Sequence, residues 1–150
     1  MKLFVKEKCN VTETEVEIRC REKDREVEDL VACIKSATDM IVGEKENGDL
    51  LQVRLNRILY FEAVEGRVYA YLDREVIKVR MTLYEVEDLY GKYHFVRISK
   101  SAAVNLRAVT NIKPEEGRRV RLELINRESL IVSKSYVGSL KKALKMGEER

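Results

Sequence analysis

Hydrophobic and polar positions alternate at the start of the chain in "KLFVKEK", residues 2–8, and again in "TEVEIRC", residues 14–20. A period of two predicts a strand from each. The period changes in "DREVEDLVACIKSA". There Val27, Leu30, Val31 and Ile34 recur at helical spacing as one apolar face, and Asp24 stands where an N-cap belongs. In "GEKENGDLLQV" the pair Asn47-Gly48 signals a hairpin turn and marks a module boundary.

From residue 50 the pattern is short strands and tight turns. "RILYFEAV" is apolar at successive positions, as a strand covered on both faces would be. Glu65-Gly66 turns it into "RVYAYL", and Asp73-Arg74 turns that into "EVIKVR". "MTLYEVEDLYGK" predicts a short helix. Thr82 and Glu85 form its capping box, Leu83, Val86 and Leu89 its buried stripe, and Gly91 its end. "HFVRI", "AVTNIK", "RRVRLELI" and "SLIVS" are further strands, the middle two joined by a turn at "PEEG". A last helix, "YVGSLKKALKM", is expected to bury Val137, Leu140 and Leu144 and to expose Lys141, Lys142 and Lys145. The expectation is a mostly β, β-rich α+β domain. It has about ten short, mainly antiparallel strands with two or three helices, after a small strand–strand–helix leader.

Length and composition narrow the class. The 150 residues make one domain, or one domain with an N-terminal extension, and 45% hydrophobic with 37% charged residues describes a folded chain. No apolar run approaches the roughly 18 residues of a membrane span, and "MKLFVKEKCN" is not a secretory signal, so the cytoplasm is expected. Cys9, Cys20 and Cys33 are odd in number and lack C-x-x-C spacing, which predicts reduced, partly buried thiols and no metal site. Charge changes the picture more. Residues 1–90 carry 15 Lys/Arg against 20 Asp/Glu, a net −5, while residues 91–150 carry 14 against 6, a net +8. A basic half of that kind attracts polyanions.

Candidate chemistry follows the charge. The chain has no G-x-S-x-G, P-loop, H-E-x-x-H or G-x-G-x-x-G motif, and its carboxylates fall in solvated runs. His94, the sole histidine, stands beside Phe95 at a strand start, a structural position. No catalysis and no cofactor are expected. "RISKSAAVNL" (97–106) and "IVSKSYVGSL" (131–140) instead repeat Ser-Lys-Ser at the exits of two strands, both in the +8 half. A lysine between two hydroxyls offers one long cationic donor and two short donors, a kit for phosphates and base edges. The plainer alternative is that Ser101 and Ser135 cap the next turn or helix.

The segments "ILYFEAVEGRVYAYL", "LYEVEDLYGKYHFVRISKSAAVNLRAVTNI" and "LIVSKSYVGSLKKAL" resemble the LytTR DNA-binding domain over about residues 50–145. Its marks are I-x-Y-x-E, then F-x-R-I-x-x-S followed by V-N, then S-R/K-x-Y before a terminal helix. The resemblance implies a LytTR-like fold in a bacterial transcription regulator that reads double-stranded DNA with loops entering successive major grooves. Carried onto this chain, the implied contacts are Arg67 after the first hairpin, Ser99, Lys100 and Ser101, and Ser133, Lys134, Ser135 and Tyr136. Arg97 and Asn105 would hold the middle loop in place. Lys100 and Lys134 would then read positions about one helical turn apart.

Members vary at these positions. Gly66 stands where some place a larger reading side chain, and Ser99-Lys100 where many have His-Arg or His-Asn. Only about 45 residues precede the match, too few for a receiver domain, so the likeness is to stand-alone members. The division expected is 1–45 as a regulatory or dimerisation leader and 46–150 as the DNA-binding domain. The implied partners are duplex DNA, a second copy on DNA, and an integral membrane protein that restrains the regulator. Two rivals remain: a β-rich protein-interaction module using the acidic half, and an RNA binder. The second is disfavoured because Tyr60, Phe61, Tyr69 and Tyr71 sit in apolar strands.

Overall fold

A computed structural model of the chain describes residues 1–145. In chain order its elements are helix α1 (Arg25–Thr38) and strands β1 (Met40–Glu44), β2 (Leu50–Arg54), β3 (Tyr60–Val64), β4 (Arg67–Tyr71) and β5 (Val76–Val79). Helix α2 (Leu83–Tyr90) follows, then strands β6 (Phe95–Ser99), β7 (Ala102–Asn105), β8 (Val109–Glu115), β9 (Arg119–Leu124) and β10 (Ser129–Val132), and helix α3 (Val137–Lys145). One sheet has seven strands in the order β2-β1-β5-β4-β3-β7-β6, and a second has the order β10-β9-β8. Neighbouring strands run antiparallel throughout.

The large sheet is covered on both faces, which is why β3 reads as apolar at successive positions. On one face Phe61, Val68, Ala70, Ile77 and Ala103 pack with Ala32 of α1 and with Leu83 and Val86 of α2. On the other, Tyr60, Ile98 and Val104 pack with Leu122, Leu124 and Val132 of the small sheet and Leu140 of α3. Phe61, Ile77, Val104 and Leu122 are fully buried, and each large apolar side chain so buried contributes about 1.5–3 kcal/mol.

Local signals set several boundaries. Asp24 caps α1 by accepting from the Val27 N–H at 3.1 Å, and Thr82 and Glu85 make the reciprocal capping box of α2. Glu65 (φ 52°) and Gly66 (φ 77°) both take the left-handed conformation that a two-residue hairpin between twisted strands requires. Asn47-Gly48 turns β1 into β2, with Gly48 at φ 89°. A cut at 45/46 therefore falls at a hairpin tip, and β1 also pairs with β5 through Glu44 and Lys78.

Several expectations are corrected. Residues 2–8 and 14–20 form no strand, because no partner strand lies beside them. Leu89 is 48% exposed; Tyr90 takes its place inside, packed against the first core. Gly91 keeps helical angles (φ −56°), the chain tightens into a 3-10 turn over Gly91–Tyr93, and His94 at φ 72° makes the stop instead. The reversal assigned to "PEEG" begins two residues later, because Pro114 and Glu115 pair within β8 and the turn is Glu116–Arg118. Leu144 is 36% exposed, and all three cysteines are exposed rather than partly buried. The Lys145 side chain and Met146 lie outside the described residues.

Candidate nucleic-acid interface

The site is built around an irregularity in β6. Arg97 pairs with Ala103 and Ser99 with Ala102, so Ile98 is an extra residue, a β-bulge. Two consequences follow. Lys100 and Ser101 become the tight turn between β6 and β7, and the Ile98 carbonyl, without a partner in the β7 register, accepts the Ser133 N–H at 2.8 Å. That bond places the second Ser-Lys-Ser segment against the first. On the other flank the Ala63 N–H donates to the Ser101 carbonyl at 2.8 Å, which brings the end of β3 and its Glu65–Arg67 hairpin alongside. Three loops, 65–67, 99–101 and 133–136, thus lie side by side, with 99–101 in the middle.

Arg97 holds the middle loop. Its Nε donates to the Ser99 carbonyl at 3.0 Å, Nη2 to the Lys100 carbonyl at 2.7 Å, and Nη1 to Glu87 Oε2 of α2 at 3.0 Å. Its guanidinium carbon also lies 5.9 Å from the ring centroid of half-buried Tyr136, so one side chain touches two loops. The turn closes on itself as Ser99 Oγ accepts the Ser101 N–H at 3.1 Å and meets Ser101 Oγ at 3.3 Å. Asn105 is 4% exposed; its Nδ2 donates to the Ile58 carbonyl and its Oδ1 accepts the Arg107 N–H, both at 3.0 Å. Arg97 braces the middle loop as expected, whereas Asn105 ties the end of β7 to the Ile58 and Arg107 backbone and does not touch residues 99–101.

The lysines are different. The side chains of Lys100, Lys134 and Arg67 are exposed and form no hydrogen bond or ion pair among the described residues. Ser133 and Ser99 are half-buried, and Ser101 and Ser135 are exposed. The capping alternative does not describe them. Ser133, not Ser135, precedes the 3-10 turn Lys134–Tyr136, with no side-chain cap bond, and the Ser101 hydroxyl meets only Ser99.

Chain geometry also revises the spacing. From Lys100 through Ile98 and Ser133 to Lys134, the Cα atoms can be at most about 18 Å apart. That is roughly half a turn of duplex, about 34–36 Å per turn. Arg67 and Lys134, the outer pair, are the ones whose separation can approach a full turn.

The family model of the LytTr DNA-binding domain fits residues 48–145, which contain all three loops. The chain belongs to the LytTr DNA-binding domain family. A LytTr DNA-binding domain from Bacillus cereus superposes with a TM-score of 0.67 at 25% identity, covering 71% of this chain and 97% of that one. Two relatives described as uncharacterized HTH-type transcriptional regulators come from Staphylococcus aureus strains bovine RF122 / ET3-1 and NCTC 8325 / PS 47. Each is 24% identical over 146 residues, 96% of this chain and 98% of the relative. Among the described residues of this LytTr chain no two α-helices follow each other without strands between them.

The fold adds residues that sequence reasoning missed. Val132 of β10 pairs with Val120 of β9, which sets the β8–β9 hairpin tip, with exposed Arg118 and Arg119, beside the 133–136 loop. Arg119 Nε donates to the Glu116 carbonyl at 3.0 Å, whereas Arg118 has no partner among the described residues. "GRR" in the basic half was the available signal. Other cations of that half are engaged: Arg121 with Glu115 and Lys113 with Glu123, both at 2.8 Å. Each acid of those pairs titrates below its ordinary range, through the side-chain hydrogen bond from its basic partner first.

His94 lies at the far end of β6. It sits 3.4 Å from Asp29, while Arg107 donates to Ser36 Oγ and to the Asp29 carbonyl, so both pin α1 to the sheet. Desolvation first, then the neighbouring Arg107 charge, lowers the His94 pKa. The aromatic strands form no open platform. Tyr60 stacks on Tyr71 at 4.3 Å between ring centroids, and their hydroxyls donate to Glu128 and Glu62. Among the described residues no group of acids, histidine and cysteines could hold a metal ion, and no helix is long and apolar enough to cross a membrane.

Proposed function

We propose that the chain is a sequence-specific regulator of transcription in the bacterial cytoplasm, reading duplex DNA in the major groove with the three neighbouring loops. Arg67, Lys100 and Lys134 reach base edges. Ser99, Ser101, Ser133, Ser135, Tyr136 and the newly placed Arg118 hold phosphates. The observation that carries this reading is the pair of backbone bonds, Ala63 to Ser101 and Ser133 to Ile98, that gathers three cation-tipped loops. Rigid sheets supply the positioning, so little loop ordering is left to oppose binding. No catalytic step belongs to this reading.

The division at residue 45 is carried as one of function. Residues 46–150 hold every proposed contact, and residues 1–45 serve dimerisation or regulation. A homodimer would present the loops twice on DNA, and a restraining membrane protein would act on the leader.

The test begins with selection of a preferred site from random duplexes, followed by competition titrations. Lys100→Ala and Lys134→Ala should each weaken the preferred site about 5- to 150-fold and relax preference at different base pairs, less than one turn apart. Lys142→Ala, on the exposed side of α3, should weaken all sequences about equally. If the domain neutralises about 6 phosphates, the log–log salt slope should be near −5, at about −0.9 per phosphate. A slope near zero would end this reading and favour the protein-interaction module. Equal losses on every sequence for all three lysines would mean that the loops only grip the backbone.

A further inference from the structure

The first 24 residues are the part of the chain that the fold leaves unused. They contain two segments patterned as strands, 2–8 and 14–20, separated by a turn in which the Val11 N–H reaches the Lys8 carbonyl at 3.3 Å. Apart from that bond and one from the Asp24 N–H to the Glu22 carbonyl, no backbone–backbone hydrogen bond engages residues 1–23, among the described residues. Their apolar side chains are in solvent: Leu3 is 87% exposed, Phe4 75%, Val5 86% and Val16 64%. Backbone with open donors and acceptors, alternating side chains and bare apolar groups is a template for pairing with another strand.

The charges say which strand. In 2–8 the lysines Lys2, Lys6 and Lys8 stand at even positions, with Leu3 and Val5 at odd ones. In 14–20 and the residue before it, Glu13, Glu15 and Glu17 are odd and Val16, Ile18 and Cys20 even. An antiparallel pairing of the first segment with the second that brings Leu3 and Val5 onto the same face as Val16 and Ile18 sets lysines opposite glutamates on the other face. Phe4 is left among the charges, Arg19 stands with the glutamates on that face, and Glu7 falls on the apolar one. Pairing like with like would set Lys against Lys, or Glu against Glu, which disfavours it.

One copy cannot complete such a unit. A two-stranded hairpin is marginal by itself, and the apolar face formed by Leu3, Val5, Val16 and Ile18 would still need a second layer. We propose that the N-terminal segments dimerise the protein by exchange, residues 2–8 of each copy pairing antiparallel with residues 14–20 of a second copy. The two exchanged pairs are related by a twofold axis, and each supplies the apolar layer that the other lacks. The proposal is independent of DNA recognition, because the assembly is measured without DNA.

The experiment uses the full chain in three forms, by sedimentation equilibrium over a concentration series. Wild type should sediment as a dimer. Lys2→Glu/Lys6→Glu/Lys8→Glu and Glu13→Lys/Glu15→Lys/Glu17→Lys should each dimerise at least ten-fold more weakly, while the domain itself stays folded, its melting unchanged at a concentration below the dimer range because every altered residue is exposed. An equimolar mixture of the two should recover dimer mass, because each acidic segment then faces a basic one across the two chains. Three results would overturn the exchange: a monomeric wild type, charge variants that remain dimeric, or a mixture that stays monomeric while a chain carrying both sets of changes dimerises. The last would place the pairing within one chain. Leu3→Asp/Val5→Asp gives a second arm and should also yield monomer.

Discussion

Arg97 offers the sharpest separation between a residue that holds the interface and one that touches DNA. Arg97→Ala removes three charge-assisted hydrogen bonds, two to the carbonyls of the 99–101 loop and one to Glu87. Such bonds contribute about 1.5–3 kcal/mol each where water is excluded. Here the Arg97 side chain is 16% exposed but Glu87 is 42% exposed, and the freed carbonyls lie at a solvent-facing turn. The total is therefore nearer about 2–3 kcal/mol, which for a chain of this size lowers the melting temperature by about 4–12 °C. The loop released is short and anchored by β6 and β7. Reordering it on DNA should cost about 1–2 kcal/mol, or roughly 5- to 30-fold in affinity. Arg97→Lys should behave like alanine in loop order, because one ammonium cannot replace a fork that spans three acceptors. The assays are thermal melting, hydrogen exchange at the Ser101 amide, and DNA titration over a salt series. A brace leaves the salt slope unchanged. A slope reduced by about 0.9 with melting unaltered would mean that Arg97 contacts a phosphate, and the bracing account would be wrong.

Three further outcomes follow from single positions. Glu65→Asn should raise stability by up to about 1 kcal/mol, since Glu65 holds φ 52° in a turn that favours Asn-Gly, and should tighten DNA binding by removing a negative charge beside Arg67; denaturant melts and titrations check both. Gly43→Ala should destabilise by about 1–3 kcal/mol, because a Cβ there would come within 2.5 Å of Ile77 Cδ1 and within 2.8 Å of its Cβ. Because burial and Arg107 lower the His94 pKa in the fold, the unfolded chain binds its proton more readily. Stability from this group is whole above the unfolded value of about 6.5 and declines as pH falls through it toward the folded value. His94→Gln should flatten the melting-temperature profile between about pH 7 and 5, and an unchanged profile would refute the assignment.

What the sequence disclosed was what depends on near neighbours. Asp24, the Thr82/Glu85 box and the Glu65-Gly66 turn each act within a few residues, and each is found where the pattern put it. Leu89 and Tyr90 show the limit of an apolar stripe: both can pack, and only the position of Phe61 and Phe95 on the sheet selects Tyr90. β7 escaped the pattern because its four residues are all buried and too few to display a period. Residues 2–8 and 14–20 carry the period but lack the partner, and a strand is a pairing, not a property of one segment. In the candidate site, the Ser-Lys-Ser repeats were visible as residues. Their order in space was not, since it rests on the bulge at Ile98 and on a bond between residues 98 and 133. Arg118 became a candidate only through the register of Val120 with Val132.

Net charge alone would treat the cations of the basic half as equivalent, and the fold sorts them. Arg97, Arg107, Arg119 and Arg121 spend their donors on carbonyls, hydroxyls and carboxylates of the protein itself. The middle of the proposed interface is left to Lys100 and Lys134, with Arg67 and Arg118 toward its two flanks. A lysine is a mobile point charge, whereas an arginine imposes a planar two-point geometry on a base edge. The Arg67 flank should therefore discriminate bases more sharply than the centre. At the centre the lysine contacts are supplemented by how readily the intervening base pairs deform to meet a rigid row of three loops. Lys100→Arg tests this division of labour. If the loop geometry admits a fork, it should add preference for guanine at one central base pair without changing the salt slope. If it lowers affinity on every sequence alike, the middle loop lies too close to the backbone for a side chain to reach a base edge, and direct base reading in the centre is excluded.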